Sequence, residues 1–547
     1  PNSQKVARAL QNAELVVVQD AYLTPATVQY ADVLLPATTW GEKEGTVTNS
    51  ERRISRVRPA MPAYGESKHD WQIVVDFAQR LEQELQKLGV ESPRLDGAHL
   101  ADSCIDDSHV DSPFAKPVRR AFLHYSTVEE IFNEHRETTR GRDLDITGLS
   151  YAVLETKGPQ QWPMPEGVSE GKARLYEDGV YPTATGKAKF VFANYEPVAE
   201  EADARFPWRL NTGRLRDQWH GASRTGTLAE FFSHEAEPVI ALHPADFKRL
   251  NLKPHSWVSV KSRRATITLR AKEDESVARN QAVLPMHWGP EFFGGKSGVG
   301  GVNALTIEAF DPYSKQPELK HSAVNIQRVH LPWQVVVFVH SEHWLSLWQK
   351  ARALYAEFDA AVCVPVGREQ TGVLFRAASA QAPAKEVIDR LQSLFECEGG
   401  DVMVYSDPKT DARRRIGVKV QTSPQGQTAT LNKVFLAGNV ESEGWLRNYF
   451  DQQLDVMPLR SFLLAPASQP PGVQTEAVRM VCNCVGVSEQ SIQAGIAIAC
   501  AKNPNASENE LLAGLQGSLK CGTQCGSCVP EIRKLIRTQP SLVTIAP

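Results

Sequence analysis

Nothing in the chain approaches the ~18–20 consecutive apolar residues that a bilayer-spanning helix requires, and a mean hydropathy of −0.33 agrees. An excess of one charge is missing too. Sixty basic side chains stand against 64 acidic ones, a net −4, which excludes a nucleic-acid binder working by bulk charge. Cysteine is scarce along most of the length: only Cys104, Cys363 and Cys397 precede residue 482, and the other six of nine crowd into 482–547. A disulfide scaffold would spread its cysteines through a small secreted domain, so metal is the better first explanation of a cysteine-dense tail. Methionine is absent from the first position. The chain opens on Pro1 within a helical pattern (Val6, Leu10) and is expected to be the back part of a longer protein, so a signal peptide stays open.

What is present suits several domains; 547 residues imply about three to four of them, each with its own core. The reading is multidomain α/β plus β-barrel. Residues 1–95 and 96–205 read as parts of one α/β core. Leu15-Val16-Val17-Val18 is expected to be a short buried strand, Ala31–Pro36 a second one stopped by proline, and Asp70–Leu88 an amphipathic helix. Ligands in open α/β sheets bind beyond the carboxyl ends of strands, which places Asp20 and the loop from Thr38 to Arg53 at such a site. The Pro/Gly-rich stretch from Gly158 to Gly171 should be irregular, and the acidic stretch from Glu196 to Arg205 reads as a linker. Residues 206–330 turn to short period-two strands, the texture of a compact barrel. Residues 333–470 order as βαββαβ, a ferredoxin-like α+β pattern with extra strands near Arg415–Val420 and Val434–Ala437. Trp344, Leu347, Trp348 and Leu354 form a core stripe on its first helix. Pro466–Pro471 reads as a linker, and 478–540 as a small helical domain.

The tail carries Cys482-Asn483-Cys484 and then Cys521-Gly522-Thr523-Gln524-Cys525-Gly526-Ser527-Cys528. A CxC and a CxxC supply four thiolates, enough for a tetrahedral zinc site or a [2Fe–2S] cluster, and spacing does not choose between them. Val529–Ile536 is helical in pattern, so the CxxC sits at a helix N-terminus that favours thiolate. Cys500 falls on a helix face as core. The segment from Val481 to Leu535, with Gly486-Val487-Ser488 near its start and Cys528-Val529-Pro530-Glu531 near its end, resembles the [2Fe–2S] domain of the bacterioferritin-associated ferredoxin type. That resemblance implies iron–sulfur rather than zinc, with Cys482, Cys484, Cys525 and Cys528 as ligands and Cys521 outside the quartet.

Three other segments are dense in glycine, arginine and hydroxyl groups, a composition that offers donors to a polar anionic ligand. They are Trp40–Arg53, Asn211–Gly221, and Gly298–Asn303 with Asp311–Lys320. In this order and spacing, together with Asp145–Pro163, they resemble the molybdopterin oxidoreductase (DMSO reductase) family over Val16–Val329. The 206–330 block is then similar to that family's dinucleotide-binding barrel, with His243-Pro244-Ala245-Asp246 and His287-Trp288-Gly289 in place. The resemblance implies bis-molybdopterin guanine dinucleotide contacts at Gln19, Asp20, Lys43 and Asp70. It implies more at Thr212, Gly213, Arg214, Arg216, Trp219, His220 and Gly221, and at Asn303 and Lys320. Guanine N–H donors suit Asp20 or Asp70, and pyrophosphate suits Arg214 and Lys320. Arg263-Arg264-Ala265 departs from the glycine usual in that hairpin. The family's [4Fe–4S] ligands and molybdenum-ligating side chain are expected upstream of Pro1, and no residue present is named catalytic.

The combination of this scaffold with the ferredoxin-type tail resembles the assimilatory nitrate reductases, cytoplasmic molybdenum enzymes. It implies two-electron reduction of nitrate, with electrons from an NAD(P)H-linked flavoprotein or from ferredoxin or flavodoxin reaching the tail cluster first. Neither nucleic acid nor membrane is an expected partner. A formate dehydrogenase would use the same dinucleotide scaffold, and a non-catalytic cofactor-binding or electron-transfer module is the alternative from another class.

Overall fold

A computed structural model describes residues 2–89, 125–192, 194–410, 412–424, 426–470 and 479–538; Cys104 and Pro471 lie outside the described residues. The chain divides into two compact units, one of Glu14–Leu23 and Thr27–Tyr195, the other of Pro1–Ala13, Thr24–Ala26 and Glu196–Pro547. No helix among the described residues is long and apolar enough to cross a membrane.

In the first unit, strands Val17–Asp20 and Val33–Pro36 pair in parallel, Val17 opposite Val33 and Asp20 opposite Pro36. The strand expected to be buried is not: Val16 is buried, but Leu15 and Val17 are 63% and 50% exposed. The reason is topological, since this sheet has two strands among the described residues and no third to flank them. The helix Asp70–Lys87 follows, with Val75 and Ala78 buried. A second, antiparallel sheet is built from Gly45–Thr48, Arg53–Val57 and Gln160–Gln161. Its core gathers Ile54, Phe132, Ile146, Leu149, Tyr151, Leu154 and Met164.

The second unit holds a closed six-stranded barrel running from Trp208–Asn211 to Ser322–Arg328. Alternation makes it work: in Thr266–Glu273, Ile267, Leu269 and Ala271 point inward while their neighbours stay partly exposed. The acidic stretch before the barrel is not a free linker. Glu200 is 9% exposed and takes two bonds from Arg264, at 2.6 and 2.9 Å, while Arg263 reaches Asp203 at 2.6 Å. The two arginines therefore pin this stretch, and the turn they occupy is closed by Ser262 N–H donating to the Ala265 carbonyl.

Beyond the barrel lies a seven-stranded sheet. Trp333–His340 is flanked by Gly372–Ser379 and Gly426–Ala437, both antiparallel to it. Ala360–Val366 pairs outside Gly372–Ser379. The position beside the first strand, expected for Val402–Ser406, belongs instead to Gly426–Ala437; Val402–Asp407 is the far edge, reached through Ala412–Ser423. Helices Trp344–Arg352 and Lys385–Leu394 occupy the intervals read as helical, and Trp348 and Leu354 of the stripe are buried. The first part of the segment read as a linker is tied down, because Trp445 Nε1 donates to the Ala467 carbonyl at 3.0 Å.

The tail is a two-stranded ribbon, Met480–Cys482 with Val487–Ser488, and three helices, Glu489–Lys502, Glu508–Leu519 and Val529–Arg537. Ser488 and Ser507 cap the first two, Ser507 in a capping box with Glu510.

Candidate functional site

Gln19 and Asp20 end the first parallel strand, where an α/β sheet presents its ligand groups. Gln19 Nε2 donates to Asp70 Oδ1 at 2.8 Å, and Lys43 Nζ pairs with the other oxygen of Asp70. Burial pushes the Asp70 carboxyl up, but the hydrogen bonds from Lys43 and Gln19 outweigh it and hold the group below the usual carboxylate range. Asp20 accepts from Tyr22 N–H at 2.9 Å, which leaves the rest of its acceptor capacity for a donor. Three of the four residues expected in this unit thus form one hydrogen-bonded set, with Asp20 at the end of the same strand as Gln19.

In the barrel unit, Thr212 is buried; its hydroxyl donates to the Leu319 carbonyl at 2.6 Å, and Lys320 Nζ donates to the Thr212 carbonyl at 2.6 Å. Gly213 runs close to the strand Gln281–Val283, where an added Cβ would fall 2.9 Å from a Val283 methyl. The loop is then held by His287, which is fully buried. Its Nε2 accepts from Leu215 N–H at 3.0 Å, so Nδ1 carries the proton and donates to the His220 carbonyl. Burial, then the charges of Arg214 and Lys320, lower the His287 pKa below the ordinary histidine value. His220 sits at φ 40°, with its ring edge-on to the half-exposed Trp219 indole at 4.5 Å and Nδ1 3.4 Å from Arg214. Thr212, Gly213, Arg214, His220 and Lys320 therefore gather around one anchored loop, with Trp219 and Gly221 beside them. Asn303 is exposed on the short turn Val302–Ala304. Arg216 alone points away: its guanidinium is committed to Asp217 and to Glu531 of the tail.

The tail brings its four expected ligands together. Cys482 Sγ lies 3.7 Å from Cys484 Sγ, and Cys484 Sγ 3.7 Å from Cys525 Sγ; Cys528 is near enough to Cys482 for the two thiols to shift each other's titration. Among the described residues, no three or more His, Cys, Asp or Glu side chains close on a point that could hold a single metal ion. Backbone N–H groups face the sulfurs. Burial pushes Cys482 up, but Gly522 and Val485 N–H donors bring it below the usual thiol value, and Ser527 does the same for Cys525. Burial and the neighbouring thiols push Cys528 up to about 12. Cys521 is fully buried beside them, raised by burial and by Cys482, and Cys500 packs against the tail core. Sequence reasoning missed Asp217, Asn483, Glu531 and Arg368, which join the tail to the barrel and sheet; only Asn483, enclosed by the CxC, carried a positional signal.

A family model described as molybdopterin oxidoreductase matches residues 1–80, and one described as the molydopterin dinucleotide binding domain matches residues 208–323. A nitrate reductase of Klebsiella oxytoca is 28% identical over 98% of this chain and 54% of its own length. The assimilatory nitrate reductase catalytic subunit of Bacillus subtilis is 31% identical over 60% of this chain and 40% of its own. The F420-dependent formate dehydrogenase subunit alpha of Methanocaldococcus jannaschii is 31% identical over 60% and 41%. The chain spans about half the length of the curated relatives matched along nearly all of it.

Proposed function

We propose that the chain, whose residues 1–80 and 208–323 match the molybdopterin oxidoreductase and molydopterin dinucleotide binding domain models, is the cofactor-gripping and electron-receiving part of a nitrate reductase. One observation carries the choice of substrate. Both relatives matched along 98% of the chain, and so through the sheet domain and the cysteine tail, are nitrate reductases, whereas at 60% coverage nitrate reductases and formate dehydrogenases match alike. In the reaction, nitrate gives up one oxygen as water, taking two electrons and two protons, and leaves as nitrite. When bound, the molybdenum centre supplies oxygen-atom transfer, and the tail cluster supplies one-electron steps from a flavoprotein, ferredoxin or flavodoxin.

The donor sets suit those groups. Lys43, Gln19, Asp20 and Asp70 in one unit offer a charged, hydrogen-bonding rim. Arg214, Lys320, Thr212, Gly213, His220, Gly221, Trp219 and Asn303 in the other offer cations for pyrophosphate and an indole face for a ring. In the tail, Cys484 Sγ lies 3.7 Å from both Cys482 Sγ and Cys525 Sγ, Cys528 is beside Cys482, and hydrogen-bond donors favour thiolate at Cys482 and Cys525. Four thiols are the number either a two-iron cluster or a tetrahedral ion takes, and the likeness of Val481–Leu535 to the ferredoxin-type domain favours the cluster. The test uses the full-length gene product with reduced methyl viologen. Nitrate consumption with nitrite release is expected, and formate oxidation with inert nitrate would replace the substrate assigned. Electron paramagnetic resonance of the reduced protein is expected to show a [2Fe–2S] signal that Cys525→Ser abolishes; stoichiometric zinc in place of iron would refute the cluster.

A further inference from the structure

Asn483, the residue between Cys482 and Cys484, is only 6% exposed. Its Nδ2 donates to Asp217 Oδ2 at 2.5 Å, and its carbonyl accepts from Arg368 Nη2 at 2.9 Å. Asp217 belongs to the barrel loop anchored by His287, and Arg368 to the turn between strands Ala360–Val366 and Gly372–Ser379. Asp217 is fixed in turn by Arg216, through Nε at 2.9 Å and Nη2 at 3.1 Å, while Arg216 Nη1 reaches Glu531 Oε2 at 2.9 Å. Glu531 opens the helix that begins after Cys528, and Arg479 holds its other oxygen. The Arg216, Asp217 and Glu531 side chains are 17%, 8% and 20% exposed, so these are shielded pairs rather than surface ones. Gly486 completes the fit, since a Cβ there would fall 2.6 Å from Arg368 Nη2. Both Arg216 and Asp217 lie within electrostatic reach of the cysteines, Arg216 of Cys528 and Asp217 of Cys525.

We propose that Arg368, Asp217 and Arg216 form a clamp that seats the Cys482–Cys484 loop on the barrel segment 212–221, with Arg368 as the positioning residue that also sets the cluster's potential. This rests on the [2Fe–2S] reading of the tail. The clamp grips the residue between two ligands, so it fixes the loop that carries them. A four-thiolate cluster is anionic and gains further negative charge on reduction, and a fixed guanidinium beside its loop stabilises the reduced form. Segment 212–221 is also the one whose other side chains are assigned to the dinucleotide, so one loop faces both the electron-receiving module and the pterin cofactor.

Arg368→Gln and Arg368→Lys in the full-length protein test this by redox titration of the cluster signal and by amide hydrogen exchange. In Arg368→Gln the cluster is expected at wild-type iron content with a more negative midpoint potential, and with faster exchange in 212–221 and 479–489. Arg368→Lys should recover most of the potential. Glu531→Gln, which frees Arg216, should speed exchange in the same two segments. Unchanged potential and exchange in Arg368→Gln, with iron intact, would overturn the clamp. A wild-type protein with no [2Fe–2S] signal would instead sink the cluster reading itself, and iron analysis tells the two failures apart. Should Arg368→Gln lose its iron, unchanged exchange in Glu531→Gln would still overturn the clamp.

Discussion

His340 shows how one side chain can set a pH dependence without touching any cofactor. Its ring stacks on Phe450 at 3.8 Å and 4°, and Gln453 Nε2 donates to its Nε2 at 2.9 Å, which requires the neutral form. Burial lowers its pKa to about 4 from the ordinary 6.5. The native state therefore resists a proton that the unfolded chain accepts. Its contribution is whole above pH 6.5 and drains away as pH falls toward 4, by something on the order of 3 kcal/mol. Replacing His340 by Phe should flatten the stability–pH curve in that window, as urea titrations at pH 7, 5.5 and 4 would read; an unchanged slope would show that the ring titrates freely. Cys521 is a contrasting residue. It is buried beside the four proposed ligands, and on the proposed assignment Cys521→Ser should retain the [2Fe–2S] signal while losing about 1–3 kcal/mol for a buried hydroxyl without a partner. The gathering of these four cysteines was legible because Cys482 and Cys484 sit two positions apart, and Cys525 and Cys528 three apart just before helix Val529–Arg537. Asp217 was not, because it meets Asn483 across 266 residues, and no local pattern encodes a contact of that range.

At the scale of elements, the join between barrel and sheet turns on a buried charge cluster. Arg376 lies on Gly372–Ser379, a strand buried at every position. Its guanidinium takes Glu237 at 2.6 and 2.9 Å, just before the barrel strand Val239–Leu242, and Glu443 at 2.7 Å, at the first residue of helix Glu443–Asp451. Burial raises the Glu237 carboxyl, but Arg376 outweighs it and brings the pKa down to about 2. A depressed carboxylate contributes stability above its ordinary range and loses it as pH falls from about 4.5 toward 2. Arg376→Met would leave Glu443 without its ion-pair partner and Glu237 with only the longer 3.7 Å contact to Arg270, and should cost about 3–5 kcal/mol, measured as a lower urea midpoint at pH 7. Because carboxylates that have lost Arg376 would take up protons more readily, that deficit should shrink at pH 4. A deficit independent of pH would point to lost packing instead. The elements themselves were readable from periodicity, down to the helix Lys385–Leu394. Their pairing was not. Strand Gly426–Ala437 displaced Val402–Asp407 from the centre because three strands joined by short turns form a meander, and a sequence pattern marks a strand without naming its neighbour. The exposed Val17 and Leu34 failed for a related reason: burial of an apolar run depends on flanking strands that the run cannot specify.

For the whole molecule, the division of its hydrophobic cores sets how it comes apart. Barrel and sheet share one continuous core from Trp208 to Leu463. The tail keeps a separate core of Val481, Ile492, Ile496, Leu511, Leu515, Ile532 and their neighbours, which includes Cys482, Cys521 and Cys528. The clamp between them is polar, so it fixes position without merging the cores. A tail of about 60 residues buries too little surface to be secure alone, and ligand–metal bonds add folding free energy to such small modules. With the proposed cluster in place, calorimetry should therefore show the tail unfolding as its own transition. Stripping the iron with a chelator should lower that transition by ten degrees or more, a shift on the order of 2 kcal/mol for a domain this size, while the barrel-and-sheet transition holds. A single transition that moves as a whole would mean that the clamp couples the two cores far more strongly than a few shielded ion pairs can.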